Sequence, residues 1–407
     1  MAPLFYLRSL LVFALTIFDA SAAPQAIEKR SFIIERQQTG NVRARNGVAE
    51  VARAYRKHGW AVPESMHAAV INATNRATSN QAGSTEATPQ EGDSEFLSPV
   101  KVGGQTLMMD FDTGSADFWV FNTQLSAAQT KGHSVYDPTK SSTFRPMPFS
   151  TFKIQYGDKS GASGNVGKDT VSVGSATVPQ QAIELANQVT QSFVQDTDSD
   201  GLMGLGFMKG NTISPAKQDT FFGNIAPTLK DPLFTANLRH KTVGSYQFGA
   251  VDTSQFVGKM KMTRVDPSQG YWQFPSKSFA VGTDAPVTNP KANPAIADTG
   301  TSLLLVDDVL LKAYYSKVPG AKQNDAGYVF PCSSSLPDLK MELGSEGYMA
   351  TIPGELLNYQ GLGGGVCYGG LQSSQGQPIQ ILGDILFKSQ FVVFDARGPS
   401  IGFAPHA

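Results

Sequence analysis

From about residue 95 onward, apolar and polar residues alternate in short runs split by Gly, Ser, Asp and Pro. Side chains on a strand point alternately to its two faces, so the runs 96–102, 105–111, 116–121, 152–156 and 170–173 predict strands. Helical periodicity is scarce. At 307–317, Val309, Leu310, Ala313 and Tyr314 fall on one face behind a cap at Asp307 or Asp308. Nearer the N-terminus, Val48, Val51, Ala52 and Tyr55 recur at i, i+3, i+4 and i+7, and Gly59 closes that pattern. These elements predict an all-β protein preceded by one amphipathic helix.

The first residues belong to no such element. Arg8 precedes an apolar run from Leu10 to Phe18, and Ala20-Ser21-Ala22 supplies the small-x-small pattern of a cleavage site, so 1–22 reads as a secretory signal. The run is about nine residues, against the roughly 20 that a membrane-spanning helix needs, and no later stretch is long enough either. A secreted, extracellular protein is expected, with no membrane partner. Residues 72–84 are polar without an apolar period and read as a cleavable linker. Within them, Asn72-Ala73-Thr74 is a formal glycosylation acceptor.

Charge then divides the chain. The 407 residues carry 33 Lys+Arg and 34 Asp+Glu, a net of −1 that argues against a nucleic-acid partner. That balance hides +5 over 23–84 (nine basic, four acidic) and −6 over 85–407 (23 basic, 29 acidic). The charged partner this implies is the chain's own basic segment. Five His and two Cys leave too few soft ligands for a metal centre, and no cofactor is expected. In an oxidising compartment Cys332 and Cys367 can pair, a loop closure contributing about 3 to 4 kcal/mol; two buried free thiols are the alternative.

The chemistry lies in an internal repeat. Met108-Met109-Asp110-Phe111-Asp112-Thr113-Gly114-Ser115 is echoed by Pro294-Ala295-Ile296-Ala297-Asp298-Thr299-Gly300-Thr301-Ser302, with the aspartates 186 residues apart. Each copy is followed by two apolar residues and a glycine, Leu202-Met203-Gly204 and Ile381-Leu382-Gly383, at separations of 92 and 85 residues from the aspartate to that glycine. Gly after Asp-Thr permits a tight turn and close approach, so two such turns can place their carboxylates side by side. Two adjacent carboxylates share one proton near acid pH. The ionised one can then take a proton from water while the other hydrogen-bonds an amide carbonyl, giving direct water attack. Ser115 and Thr301 are placed to hydrogen-bond the outer carboxylate oxygens.

At these residues the chain resembles the pepsin-like aspartic proteases, and especially the secreted fungal endopeptidases among them. The likeness covers about 91–407. It includes both Asp-Thr-Gly motifs, Trp119, Tyr156-Gly157-Asp158, Asp200-Gly201-Leu202-Met203-Gly204-Leu205-Gly206 and Ile381-Leu382-Gly383-Asp384. The resemblance implies a bilobal fold of two homologous β lobes, 85–275 with Asp112 and 276–407 with Asp298 and the cysteines, with the active-site cleft between them. It implies catalysis by Asp112 and Asp298, substrate contacts from Gly114, Gly300 and Thr301, and support from Thr113, Ser115, Trp119, Thr299 and Ser302. Tyr156, Gly157 and Asp158 would belong to a flap hairpin, with Trp119 as the partner of Tyr156. The apolar-apolar-Gly elements would support the two catalytic loops.

The same resemblance gives the basic segment, 23–84, the role of an inhibitory prosegment. Ala54-Tyr55-Arg56-Lys57-His58-Gly59 is similar to the family's motif, with Lys57 pairing with the two aspartates. His58 stands where Tyr is usual, and its imidazole would add an acid-sensitive release element. Substrates are then proteins and peptides, cut at acidic pH beside hydrophobic residues by a monomer. Asp158 resembles a flap acid that tolerates Lys before the scissile bond, although Lys159 can pair with it and weaken that preference. His133, His240 and His406 sit in no triad-like context, and His-Glu-x-x-His is absent, against serine and zinc hydrolases. The rival reading is a catalytically silent, aspartic-protease-like binding or inhibitor protein, which would have lost an Asp, a Thr-Gly or the flap Tyr; all are intact.

Overall fold

The computed structural model describes residues 29–35, 37–38, 45–64, 66, 96–155, 161–240 and 244–407. The signal, linker and glycosylation readings fall outside them, as do Tyr156, Gly157, Asp158 and Lys159. None of the described helices is long and apolar enough to cross a membrane.

Alternating sequence builds a predominantly β molecule. An eight-stranded sheet runs in the order Gln37–Gln38, Phe96–Val102, Gln105–Asp112, Gly201–Gly204, Phe118–Val120, Ala176–Val189, Gly161–Val173 and Arg145–Gln155. Its centre is apolar throughout: Gly201–Gly204 is buried at every position, as expected of a strand covered on both faces. That strand pairs parallel with Gln105–Asp112, placing Met203 beside Phe111 and Gly204 beside Asp112, and antiparallel with Phe118–Val120.

The second repeat rebuilds this unit. In a five-stranded sheet, Ala295–Ala297 pairs parallel with Gln380–Leu382, so Ile381 lies beside Ile296, and Gln380–Leu382 pairs antiparallel with Leu304–Val306. A six-stranded sheet then draws on the whole chain, in the order Phe32–Glu35, Ser245–Phe248, Leu233–Asn237, Gln390–Asp395, Ser400–Pro405 and Lys261–Arg264. Its core is aromatic: Phe32 stacks on Phe248 at 4.9 Å and Phe234 on Phe394 at 4.6 Å, with Trp272 fully buried beside them.

Several expectations need adjusting. The 116–121 strand shrinks to Phe118–Val120, because Ala116 and Asp117 are held in the turn by Asn211. The 152–156 strand begins much earlier, at Arg145, and the 170–173 strand belongs to Gly161–Val173. The late helix spans Asp308–Tyr315 and buries Leu310, Leu311, Tyr314 and Tyr315, while Val309 is half exposed. Asp307 makes no cap bond there; its carboxylate accepts from the Asn293 backbone and side-chain amides instead.

Cys332 and Cys367 form a disulfide, which sets aside the free-thiol alternative. It fastens the hairpin Asn358–Gly363/Val366–Gly369, whose Gly363, Gly364 and Gly365 all take positive φ in a tight turn. One motif the sequence reading passed over, Gly398-Pro399-Ser400-Ile401-Gly402, has nucleophile-elbow spacing. Ser400 opens a strand paired antiparallel with Gln390–Asp395, however, and no strand-to-helix turn presents it.

Candidate active site

Both Asp-Thr-Gly motifs are turns at the ends of buried strands, and they meet. Asp112 and Asp298 are fully buried. The glycines are dictated by proximity: a Cβ on Gly114 would lie 2.4 Å from Asp298 Cγ, and one on Gly300 would lie 2.6 Å from Asp112 Oδ1. Each glycine amide donates to the inner oxygen of its own aspartate, Gly114 to Asp112 Oδ1 at 2.8 Å and Gly300 to Asp298 Oδ1 at 3.0 Å. Each outer oxygen accepts from a hydroxyl, Ser115 to Asp112 Oδ2 at 2.6 Å and Thr301 to Asp298 Oδ2 at 2.7 Å. The two threonines lock the turns together. Thr113 N–H donates to Thr299 Oγ1 and Thr299 N–H to Thr113 Oγ1, both at 3.0 Å, while the hydroxyls donate to Ala297 O and Phe111 O.

The basic helix Gly47–Lys57 lies across this centre, its first turn capped by Asn46. Lys57 Nζ donates to Asp112 Oδ1 at 2.6 Å and to Asp298 Oδ1 at 2.5 Å, so the two inner oxygens are at most about 5 Å apart. His58 Nε2 sits 2.9 Å from Asp298 Oδ2, and its ring packs edge-on against Tyr271 and beside Trp60.

Further contacts extend along the helix on both sides. Arg53 lies 3.8 Å from Asp110 and from Asp196, over a recess lined by Trp119, Phe121 and Phe193. On the other side Arg45 donates to Tyr359 O, Gly47 N–H to Gln360 Oε1, and Tyr55 OH to Ser373 O. Ser302, expected as a supporting residue, donates to Glu50 of the helix at 3.4 Å. Trp119 packs on Phe121 and Phe193.

The electrostatics separate the two aspartates. Burial disfavours ionisation of both. At Asp298 the Lys57 charge and the His58 hydrogen bond outweigh it and hold the carboxyl well below its usual range. At Asp112 burial wins, aided by the Asp298 charge and opposed by Lys57 and Ser115, and its pKa is raised. Lys57 is pushed up: burial opposes its charge, but the two carboxylates prevail. The imidazole faces the Asp298 carboxylate.

Arg53 and Tyr271 escaped the sequence reading. Arg53 is four residues before Lys57 and therefore on the same helical face, a signal that was available. Tyr271 carries no motif.

Two buried aspartates on mutually braced turns, each behind a buried parallel strand pair, define a pepsin-like two-carboxylate site within a bilobal all-β fold. The chain belongs to the eukaryotic aspartyl protease family, whose model matches residues 95–406. It is 46% identical to aspergillopepsin-1 of Aspergillus fumigatus over 95% of each chain. It is 45% identical to penicillopepsin-1 of Penicillium rubens over 96% of each, and 42% identical to penicillopepsin-2 of Penicillium janthinellum over 95% of this chain and 96% of that one. The protein is an aspartic endopeptidase, with proteins as its substrates.

Proposed function

We propose that this endopeptidase is secreted and made as a self-inhibited precursor, in which Asp112 and Asp298 are the catalytic pair and Lys57 is the inhibitory plug. In this reading 1–22 is the signal, 23–84 the prosegment, and 85–275 and 276–407 the two lobes of the active enzyme, which acts as a monomer. The single observation that supports it most strongly is the Lys57 ammonium within 2.6 Å of both carboxylates, where an attacking water and a scissile carbonyl would have to sit.

With the helix gone, the ionised carboxylate takes a proton from water as the water oxygen attacks the amide carbon. The protonated partner donates a hydrogen bond to the carbonyl oxygen, and a carboxyl proton passes to the departing amine as the tetrahedral intermediate collapses. Gly114, Gly300 and Thr301 border the space the peptide would fill, beneath a flap at Tyr156, Gly157 and Asp158. Hydrophobic residues around the scissile bond suit the aromatic recess at Trp119, and Asp158 would tolerate Lys before that bond. Acidification of the purified full-length chain tests the proposal. Wild type is expected to shorten itself and then cleave added protein, and Asp112→Asn to do neither; self-conversion of the mutant would overturn it.

A further inference from the structure

Behind the Asp112 turn lies a second acid pair that the chemistry above does not use. Asp117, five residues past Asp112, and Glu184 of the strand Ala176–Val189 are 4% and 0% exposed. Both carboxylates accept from the same Asn211 Nδ2, at 3.0 Å to Asp117 Oδ1 and 3.1 Å to Glu184 Oε1, and that amide also reaches Ala116 O at 3.2 Å. Thr212 N–H donates to Asp117 Oδ1 at 2.7 Å. The Asp117 carbonyl accepts from Gly204 N–H at 2.8 Å, and the next amide, Leu205, donates to Asp112 O at 2.7 Å. The pair is therefore two hydrogen bonds from the backbone of Asp112 itself.

The shared Asn211 amide holds Asp117 Oδ1 and Glu184 Oε1 at most about 6 Å apart, and Glu184 Oε2, buried beside them, has no hydrogen-bond partner among the described residues. Two buried carboxyls that share a single amide donor are stable together only if one of them keeps a proton. The fold does not demand acids here. At the equivalent step past Asp298 stands Leu303, fully buried, in a turn of the same construction.

We infer that Asp117 and Glu184 share a proton that positions the Asp112 turn, and that loss of this proton as pH rises loosens the turn and sets the alkaline limit of the enzyme. The groups facing the pair fit this. Lys217 Nζ donates to Asn211 O and is the cation that acts on Asp117. One cation balances one anion and leaves the second carboxyl to be neutral. Burial first, then the other carboxyl's charge, raises Glu184 well above its usual range; burial also raises Asp117. A group raised in the fold contributes stability that is present below its unfolded pKa and is lost as pH climbs through the folded one. The loss therefore begins above the ordinary glutamate value of 4.5. The Lys57 lock titrates below 3.8, on the other side.

The test has two arms. In the first, the melting temperature of the full-length chain is followed from about pH 5 to about pH 8, above the ordinary carboxylate range. Wild type should melt progressively lower, and Glu184→Gln, whose amide supplies the missing donor without a titrating proton, should flatten the fall. Asp117→Asn breaks the pair from its other member and should flatten it too. A wild-type melting temperature that holds or rises over this range overturns the inference, whatever the variants do. In the second arm, the alkaline limb of kcat after acid conversion should move up by about one pH unit or more in Glu184→Gln. A limb that stays in place while the melting curve shifts overturns the positioning role. This arm rests on the catalytic reading of Asp112. A wild-type chain without acid activity would remove that reading and leave the melting arm intact.

Discussion

The Asp112 and Asp298 turns are near copies in backbone and differ in what surrounds them. Each ends a buried strand, donates a glycine amide to its inner oxygen and a hydroxyl to its outer one, and braces the other through a threonine. Around that common frame, among the described residues, Asp298 meets two basic side chains, Lys57 and His58, and Asp112 only Lys57. Five residues on, one turn buries Asp117 and the other Leu303. The frame alone would give two equivalent acids. Their opposite shifts arise because burial raises both, while Lys57 and His58 lower Asp298 and the Asp298 charge adds to the rise at Asp112. A symmetric fold thus hosts asymmetric chemistry by changing a few neighbours, not the turns themselves.

Removing the shared cation should have the largest effect on this contrast. Lys57→Ala leaves two buried carboxylates facing one another without their common partner, a change of about 3 to 5 kcal/mol against the closed form. A fluorogenic peptide assay near neutral pH should detect activity from the uncut variant and none from wild type. Acid does the same job reversibly. Asp298 is held below its ordinary 3.8, so its share of the lock is full above that value and is lost as pH falls through the lowered one. His58→Ala strips only the Asp298 side, a charge-assisted contact of about 1.5 to 3 kcal/mol. Gel assays across pH should find its self-conversion beginning at higher pH than in wild type, yet lower than in Lys57→Ala.

The remaining changes test the frame. Thr113→Val and Thr299→Val each orphan a buried amide of the opposite turn, at about 1 to 3 kcal/mol. Denaturant unfolding of the single and double variants should show strong non-additivity, because the bonds are reciprocal. Arg53→Ala should matter least. Its pairs with Asp110 and Asp196 are 3.8 Å long and its side chain is 37% exposed, which limits the effect to about 1 kcal/mol on closure.

Much of this was legible in the sequence because the repeat carries its own geometry. Asp-Thr-Gly with an apolar lead, echoed by apolar-apolar-Gly, foretold the paired turns and the hydroxyls of Ser115 and Thr301, while the parallel pairing of the strands behind them came from the fold. The period of Val48, Val51, Ala52 and Tyr55 foretold the buried face of the helix Gly47–Lys57. What escaped depends on three-dimensional packing. Ser302 carries a supporting role only through the resemblance; in the fold its hydroxyl donates to Glu50, while Thr301 serves the outer oxygen of Asp298. Val309 fits a helical stripe and is nonetheless half exposed, because the neighbouring Leu311 and Tyr315 face the core. Glu184 carries no motif in the sequence. Only the fold brings it to Asp117.

The central claim is that both aspartates, despite their unequal surroundings, are required together. Its most direct measurement is the rate of peptide cleavage at acidic pH by wild type, Asp112→Asn and Asp298→Asn, each shown to unfold cooperatively. Both variants should lose about 10²- to 10⁴-fold or more in kcat, as expected when a general acid or base is removed. A variant of either aspartate that cleaves at the wild-type rate would contradict the account.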